Sequence, residues 1–285
     1  MIGARRARVL NAALALVSLS LVLAVADGSH AQSRAGSAEV KRLTGQVEVL
    51  KKGQTQWAPA AVGAKLVDGD DIRAHAGASA ELALPDGSTL FVAENTRLVV
   101  SKLELDAQEQ TRLVALHLVV GKVRAVVSRA AVSLVRSRQS NFVISTPTAV
   151  AAARGTDFEV FYNWLKKLME VGVFTQGPKG GPGIVTCESF ANRFSRVTVL
   201  QGLGALAGAN GCGPPVKIED LDDPNIGTSQ NPIPPGPDFS GPVTVPTFFD
   251  LPGIVTGPPV AFTPGTGSDI PSTIGLDTLS HPTNP

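Results

Sequence analysis

Few residues of this chain could perform chemistry, and their spacing fits no common metal site. His30 and His281 stand near the two ends of the chain. His75 and His117 lie further in, and neither has a second metal ligand at the spacing of a helical turn or a hairpin. The acidic run at residues 68–71 lacks the ligand spacing of an EF-hand loop, so a turn is the preferred interpretation. We therefore predict that the protein has no cofactor and no metal.

The acidic residues also provide no clear catalytic pair. Asp157 and Glu159 are two positions apart in a predicted strand and so share one face. A glycoside hydrolase needs two carboxylates across a cleft, which the sequence cannot place. The nucleophile motif G-x-S-x-G, the zinc motif H-E-x-x-H, the pair C-x-x-C and the P-loop are absent from the sequence. These patterns predict a protein that is not an enzyme.

The N-terminus has the order of features found in a secretory signal peptide. Three arginines within residues 5–8 precede an apolar run at residues 9–26, and the small residues Ser29 and Ala31 suit a cleavage site. We expect cleavage after Ala31, which makes residues 1–31 a signal peptide and the mature protein periplasmic or secreted, with no membrane span. The alternative is an uncleaved anchor, because the apolar run is at the lower edge of a spanning length.

The only two cysteines are Cys187 and Cys212. Because an exported protein meets an oxidising compartment, we predict that they form a disulfide. A loop of this size would stabilise the fold by about 3 kcal/mol. The alternative is a pair of separate free thiols.

A cluster of basic residues is the strongest candidate for a binding surface. It consists of Lys122, Arg124, Arg129, Arg136 and Arg138, within a stretch that contains no acidic residue. One interpretation is the solvated face of edge strands, where charge discourages strand addition. The other is a surface for an anionic partner, such as a cell-surface polysaccharide, a peptide or the acidic C-terminal part of this chain. Nucleic acid is not expected, since the net charge of the chain is only +1.

The elements that must position these residues are predicted to be β-strands. Apolar and polar residues alternate around a turn at residues 85–88, and further short strands follow at intervals typical of a sandwich, barrel or solenoid. Residues 163–171 have helical spacing, and a strand hairpin is the alternative there. We predict an all-β domain at residues 39–205, either a single β-sandwich or a β-solenoid-like fold.

The composition changes at residue 213. Residues 213–285 include 16 prolines and eight acidic residues against Lys217 alone. Proline cannot donate a ladder hydrogen bond, and such a composition buries little apolar area. We predict a disordered tail over residues 213–285, and the alternative is a segment docked through Phe248, Phe249 and Phe262.

Four motifs, in this order along the chain, resemble the FecR domain, an all-β extracytoplasmic module. They are GDDIR at residues 69–73, LPDGS at 84–88, TPTAVAAARGTDFEV at 146–160 and VTVLQG at 197–202. The resemblance extends over about residues 39–205. It implies an exported β domain of a non-catalytic kind.

Within these motifs, the residues expected to form turns are structural rather than catalytic. Glycine suits turns that need positive φ, and the Arg154 guanidinium, next to Gly155, can bind several carbonyl oxygens in a fixed fork. A ligand contact is the alternative role for Arg154. The motif residues are Gly69, Asp70, Asp86, Gly87, Arg154, Gly155 and Thr156.

The chain also departs from the signalling members of this family, which resemble a cytoplasmic anti-sigma segment followed by a spanning helix and the β domain. Only eight residues precede the apolar run here, so we do not expect the signalling role to carry over. Residues 163–193 form a longer insertion than usual. The leading hypothesis is an interaction module of the bacterial envelope that binds an envelope protein or an anionic polymer. The alternatives are an envelope-sensing subunit that acts with a separate membrane regulator and, less favoured, an enzyme on envelope polymers.

Overall fold

The computed structural model describes residues 34–106, 111–128, 142–153, 155–174, 183–192, 195–236, 239 and 241–245. The signal-peptide prediction for residues 1–31 lies outside these residues. The described regular structure consists of β-strands and one short 3₁₀ helix. The strands are β1 Arg34–Ala35, β2 Ala38–Thr44, β3 Val47–Leu50, β4 Ala58–Pro59, β5 Lys65–Leu66, β6 Asp71–Ala74, β7 Ser79–Ala83, β8 Thr89–Val92, β9 Thr96–Asp106, β10 Thr111–Val126, β11 Phe142–Ser145, β12 Ala149–Ala153, β13 Asp157–Asn163, β14 Leu168–Val173, β15 Ile184–Ser189, β16 Arg196–Leu200, β17 Leu203–Gly208, β18 Gly211–Cys212 and β19 Val216–Lys217, and the helix is Ile218–Asp220.

The strands form two sheets that share β10. The first sheet has the order β4-β3-β6-β9-β10-β11-β12-β15-β16, with β1 added beside β9. The second has the order β5-β2-β7-β8-β10-β13-β14-β17, with β18 and β19 paired to β17. Among the described strands, β10 and β11 are the parallel pair and the other pairs are antiparallel. The all-β prediction is confirmed.

Strand β10 passes from one sheet to the other without a break. Gly121 lies within the long apolar stretch that forms this strand. In the structure Gly121 has φ 91°, and a Cβ at this position would lie 2.3 Å from Thr96 Oγ1. Glycine therefore lets the neighbouring backbone approach closely while the strand changes sheets.

The hydrophobic core lies between the two sheets. Alternation along the strands points one set of side chains inward, such as Leu82 and Leu90 from the second sheet and Leu98 from the first. Phe142 and Phe158, on strands of different sheets, meet edge-to-face with ring centroids 5.9 Å apart. Burying each such ring stabilises the fold by about 1.5–3 kcal/mol.

The structure decides between the two predictions for residues 163–171 in favour of the hairpin. Strand β13 ends at Asn163 and β14 begins at Leu168, and the two strands pair with each other. Lys167 closes the turn with φ 52°. The bulky residues with helical spacing are divided between the turn and a strand, because pairing with β13 satisfies the backbone that a helix would otherwise satisfy.

The boundary predicted at residue 213 is corrected by the structure. Strand β19 pairs with β17, so the chain beyond Gly213 continues the second sheet. The following residues lie over the outer face of that sheet, where Leu221 and Asp223 are both buried. The segment is held by contacts to the domain rather than by a core of its own, which composition does not reveal. Phe248, Phe249 and Phe262, the proposed anchors, lie outside the described residues.

Candidate functional site

The outer face of the second sheet holds an unusual row of ionisable side chains. Since neighbouring residues of a strand point to opposite faces, Lys122 and Arg124 of β10 share this outer face with Glu159 of β13. The register places Arg124 opposite Glu159, and Phe161 opposite Glu170 of β14. On a bare sheet such side chains would be solvated, but Lys122, Glu159 and Glu170 are all buried.

They are buried by residues 216–231, which we call the strap. Lys122 Nζ lies 3.0 Å from Asp223 Oδ2 of the strap and donates to the Asn225 carbonyl oxygen at 2.7 Å. Glu159 Oε1 is 3.9 Å from the same ammonium group. The Lys122 and Asp223 side chains are each 1% exposed. Breaking a buried pair of this kind leaves an uncompensated charge and costs about 3–5 kcal/mol.

Backbone groups of the strap complete the contact. The Gly227 N–H donates to both carboxylate oxygens of Glu159, at 3.1 and 3.0 Å. The Asp223 N–H donates to Glu170 Oε2 at 3.0 Å. In the opposite direction, Arg124 Nη1 donates to the Gly227 carbonyl oxygen at 3.1 Å. The main chain of the strap is therefore hydrogen-bonded to side chains of three strands, β10, β13 and β14.

Two glycines of the sheet make room for apolar residues of the strap. A Cβ on Gly204 would lie 2.5 Å from Leu221 Cδ1 and 2.8 Å from the Val171 carbonyl oxygen. A Cβ on Gly172 would lie 2.7 Å from Ile226 Cδ1. The small residues thus form notches that receive the two aliphatic side chains of the strap.

The acids beneath the strap titrate at unusual pH. Burial raises the pKa of Glu159 to about 7, against an ordinary value of 4.5. Burial likewise raises the pKa of Glu170 to about 7. Glu170 Oε1 is buried and has no hydrogen-bond partner among the described residues. By contrast, the hydrogen bond with Asp157 raises the pKa of the Arg124 guanidinium.

Beside the strap, the same face contains a groove of about 560 Å³. Its lining includes Phe91 and Val126, whose apolar side chains are 40% and 38% exposed. Arg42 stands at its rim with a side chain that is 83% exposed, 3.5 Å from Glu81. Residues 227–229 of the strap form part of the lining. The groove thus combines an apolar floor with a cationic rim.

A second group of aromatic and basic side chains lies on the first sheet, where its members contact one another and the C-terminal part of the chain. Trp57 has the Arg73 guanidinium 4.2 Å and the Arg97 guanidinium 5.2 Å from its ring centroid. Arg97 Nε donates to Asp71 Oδ2 at 2.9 Å, and Arg97 Nη1 donates to the carbonyl oxygens of residues 239 and 241. These bonds hold the chain beyond the strap and favour a structural role.

Comparison with known proteins identifies the domain. Residues 70–174 match the family model described as FecR protein. This part of the chain is a FecR domain. No curated protein matches the sequence. The matched segment contains β10, β13 and β14, so the FecR domain supplies Lys122, Glu159 and Glu170.

Two crystal structures of a "putative anti-sigma factor" from Parabacteroides distasonis are among the similar solved structures. One is 20% identical to this chain with a TM-score of 0.37, and the other is 18% identical with a TM-score of 0.36. In both cases the alignment covers 52% of this chain and 59% of the solved chain. This chain therefore spans less than two thirds of the length of these structures.

The structure divides the predicted basic surface of the FecR domain. The surface role is wrong for Lys122, because the strap buries its ammonium group. Arg124 is partly buried, with Nη2 2.7 Å from Asp157 Oδ2 and its guanidinium 4.4 Å from the Phe174 ring centroid. Arg129, Arg136 and Arg138 lie outside the described residues. Of the partners considered, the acidic C-terminal part of the chain is the one that contacts Lys122.

The turn residues of the motifs have structural contacts. Asp70 accepts hydrogen bonds from Lys51 Nζ at 2.7 Å and from the Lys52 N–H at 2.9 Å. Asp86 accepts from the Ser88 N–H at 2.9 Å and from Arg112 Nη1 at 2.9 Å. The motif glycines Gly69, Gly87 and Gly155 have positive φ. Thr156 Oγ1 accepts a hydrogen bond from the Ile184 N–H at 3.0 Å. Arg154 lies outside the described residues, so its predicted role stays a prediction.

The remaining candidates are placed as follows. His117 is buried with Nδ1 2.9 Å from Ser145 Oγ, and burial lowers its pKa to about 4. Cys187 of β15 and Cys212 of β18 have their Sγ atoms 2.8 Å apart, without a disulfide bond between them. Within the described ranges, no group of three His, Cys, Asp or Glu side chains is arranged to hold a metal ion. The same residues include no helix that is long and apolar enough to cross a membrane.

Sequence reasoning missed the two buried acids and the strap. The sequence relates Glu159 only to Asp157 on the same strand face, and no motif marks Glu170. The sequence did contain a signal. The strands β13 and β14 carry acidic residues but no lysine or arginine, and further acids stand at residues 219–223. Charge complementarity between Lys122 and this acidic stretch could have located the contact.

Proposed function

We propose that this protein is an exported, non-catalytic interaction module of the bacterial cell envelope, and that it binds its partner in the groove beside the strap. The observation that carries the proposal is the apolar floor of that groove, where Phe91 and Val126 are exposed within a concave surface. Large exposed apolar side chains in such a setting are typical of binding sites rather than of bare surface.

The match to the FecR family supports a regulatory protein that acts by contact rather than by catalysis. The predicted signal peptide supports export to the periplasm or beyond. For the partner, we propose an envelope protein or an anionic cell-surface polymer. Lys122 is buried, so the cationic side chains of the lining that solvent reaches are Arg42 and Arg124, 83% and 30% exposed, and they favour an anionic group near the rim.

A site-specific cross-linking experiment tests this proposal. A photoreactive phenylalanine analogue replaces Phe91 in the full chain, expressed in a native-like host. We expect an envelope component to be cross-linked at position 91, and the Arg42→Glu change to reduce its yield severalfold, because it reverses the rim charge. Val62, which is 65% exposed and outside the groove lining, is the matched control position. Equal cross-linking at positions 62 and 91 would contradict a role for the groove.

A second candidate function is a sensing subunit that passes an envelope signal to a separate membrane regulator. The FecR match over residues 70–174 favours it, since the family includes signalling proteins. The same experiment separates the two, because this candidate requires the cross-linked component to be a membrane protein. A polysaccharide adduct would instead support the binding module alone.

We also propose that the mature protein carries a Cys187–Cys212 disulfide. The two sulfur atoms are adjacent although their strands belong to different sheets. Export to an oxidising compartment would convert this contact into a covalent link.

A further inference from the structure

The two buried acids depend on the strap for their burial. Glu159 and Glu170 point outward from β13 and β14, and the groups that close over them belong to the strap. Both acids accept their strap hydrogen bonds from main-chain N–H groups, at Gly227 and Asp223. A main-chain donor satisfies a protonated carboxyl carbonyl oxygen as well as a carboxylate oxygen. The strap can therefore dock over either protonation state, but not with equal free energy.

The surrounding charges raise the free energy of ionising Glu159 and Glu170 beneath the docked strap. Glu159 and Asp223 lie around the Lys122 ammonium group, and Glu170 accepts a hydrogen bond from the main chain of the same Asp223. The other nearby cations are engaged elsewhere. They are Arg124 of β10, paired with Asp157 of β13, and Lys166 of the β13–β14 turn, paired with Asp222 of the strap. When all the acids ionise, the space beneath the strap holds more negative than positive charge.

We propose that the strap is a pH-controlled cover, which docks firmly over β10, β13 and β14 when Glu159 and Glu170 are protonated and loosens when they ionise. Because residues 227–229 form part of the groove lining, loosening also opens one side of the groove. This consequence for binding rests on the function proposed above, whereas the docking of the strap does not.

The direction of the pH dependence follows from the two acids. In the docked state the pKa of each is raised to about 7, and in the undocked state each returns towards the ordinary 4.5. Docking is then strongest below the undocked pKa and weakens as the pH rises through the docked one. Above both values the strap is at its weakest, although the Lys122–Asp223 pair still holds it.

Hydrogen exchange of the full chain, without any ligand, tests the proposal. Protection of the strap is measured at about pH 6 and about pH 8 and corrected for the intrinsic exchange rate, with β7 and β8 as the internal reference. Each acid with these pKa values lowers strap protection about tenfold between the two conditions, so we expect the two together to lower it by about a hundredfold. The reference strands should keep their relative protection.

Variants assign the effect to the two acids. Glu159→Gln and Glu170→Gln keep a neutral oxygen acceptor for the strap N–H groups, so we expect the doubly substituted protein to retain its strap protection at about pH 8. Glu188→Gln is the matched control, because Glu188 is a buried acid on the first sheet that pairs with Arg196. An equal loss of strap protection in the wild type and the double variant, or no loss in the wild type, would overturn the proposal. Either result would leave the groove function to be judged by cross-linking alone.

Discussion

At the scale of single residues, Lys122 has the most consequential environment. Its ammonium group is buried between Asp223 and Asn225, although lysine is almost never fully buried unless it is paired. The stem of the side chain spans the contact between sheet and strap. A lysine that the sequence presents as surface charge is thus a link between two parts of the fold.

Substitution of Lys122 tests this assignment. We expect Lys122→Met to destabilise the protein by about 3–5 kcal/mol, because Asp223 would keep a buried and unpaired charge. Chemical denaturation measures the loss. The double substitution with Asp223→Asn should recover much of it. Lys41→Met is the control, since Lys41 is an exposed residue that pairs with Glu39, and a comparable loss there would argue against a special role for Lys122.

Substitutions at the two glycine notches should destabilise the protein by different amounts. Gly204→Ala places a methyl group against both Leu221 and the Val171 backbone, whereas Gly172→Ala meets chiefly the flexible end of Ile226. Overpacking costs about 1–3 kcal/mol, and we expect Gly204→Ala to lie at the upper end and Gly172→Ala at the lower end. Thermal melts of both variants measure the difference. The reverse order would mean that the backbone approach at Gly204 is not the limiting contact.

At the scale of elements, the strap behaves as part of the domain although its composition resembles a linker. It adds β19 to the second sheet and places Leu221 and Ile226 over the strands. Truncation before residue 216 should therefore destabilise the protein by about 3 kcal/mol, from the two lost aliphatic contacts. For a domain of this size the melting temperature should fall by about 6–12 °C.

Truncation after residue 245 is the matched control for that experiment. It removes most of the proline-rich C-terminal part and keeps the strap, so we expect a melting temperature close to that of the full chain. Equal melting of both truncated proteins would show that the strap contributes nothing to stability.

The cysteine pair connects elements of different sheets, β15 and β18. We expect intact mass under non-reducing conditions to be lower by two hydrogens than the mass after reduction. Reduction should destabilise the exported protein by about 3 kcal/mol. Rapid alkylation of both cysteines in the untreated native protein would contradict the disulfide.

At the scale of the whole molecule, two sheets enclose the core, and the outer face of the second sheet is divided between a part covered by the strap and an open groove. The strap forms the border between them through residues 227–229. The proposed change in strap docking would therefore alter the groove, whereas the two sheets pack on each other through residues on their opposite faces.

Much of the fold could be predicted from the sequence, because it depends on local patterns. Alternation of apolar and polar residues fixes which face of a strand is buried, and turns such as residues 85–88 follow from proline and glycine chemistry. The same local signals led to the FecR resemblance, which the family match confirms over residues 70–174. The expectation of an export signal and of a role for Arg154 also arises from sequence alone and stays a prediction.

Tertiary structure decided the features that depend on partners far apart in the chain. Lys122 and Asp223 are 101 residues apart, and nothing in the local pattern of either indicates that they meet. The burial of Glu159 and Glu170, and hence their raised pKa values, exists only because the strap lies over the sheet. Local composition reports how a segment behaves alone, whereas desolvation and charge pairing are set by what packs against it. For this reason the sequence predicted an all-β domain, and only the assembled fold located the site.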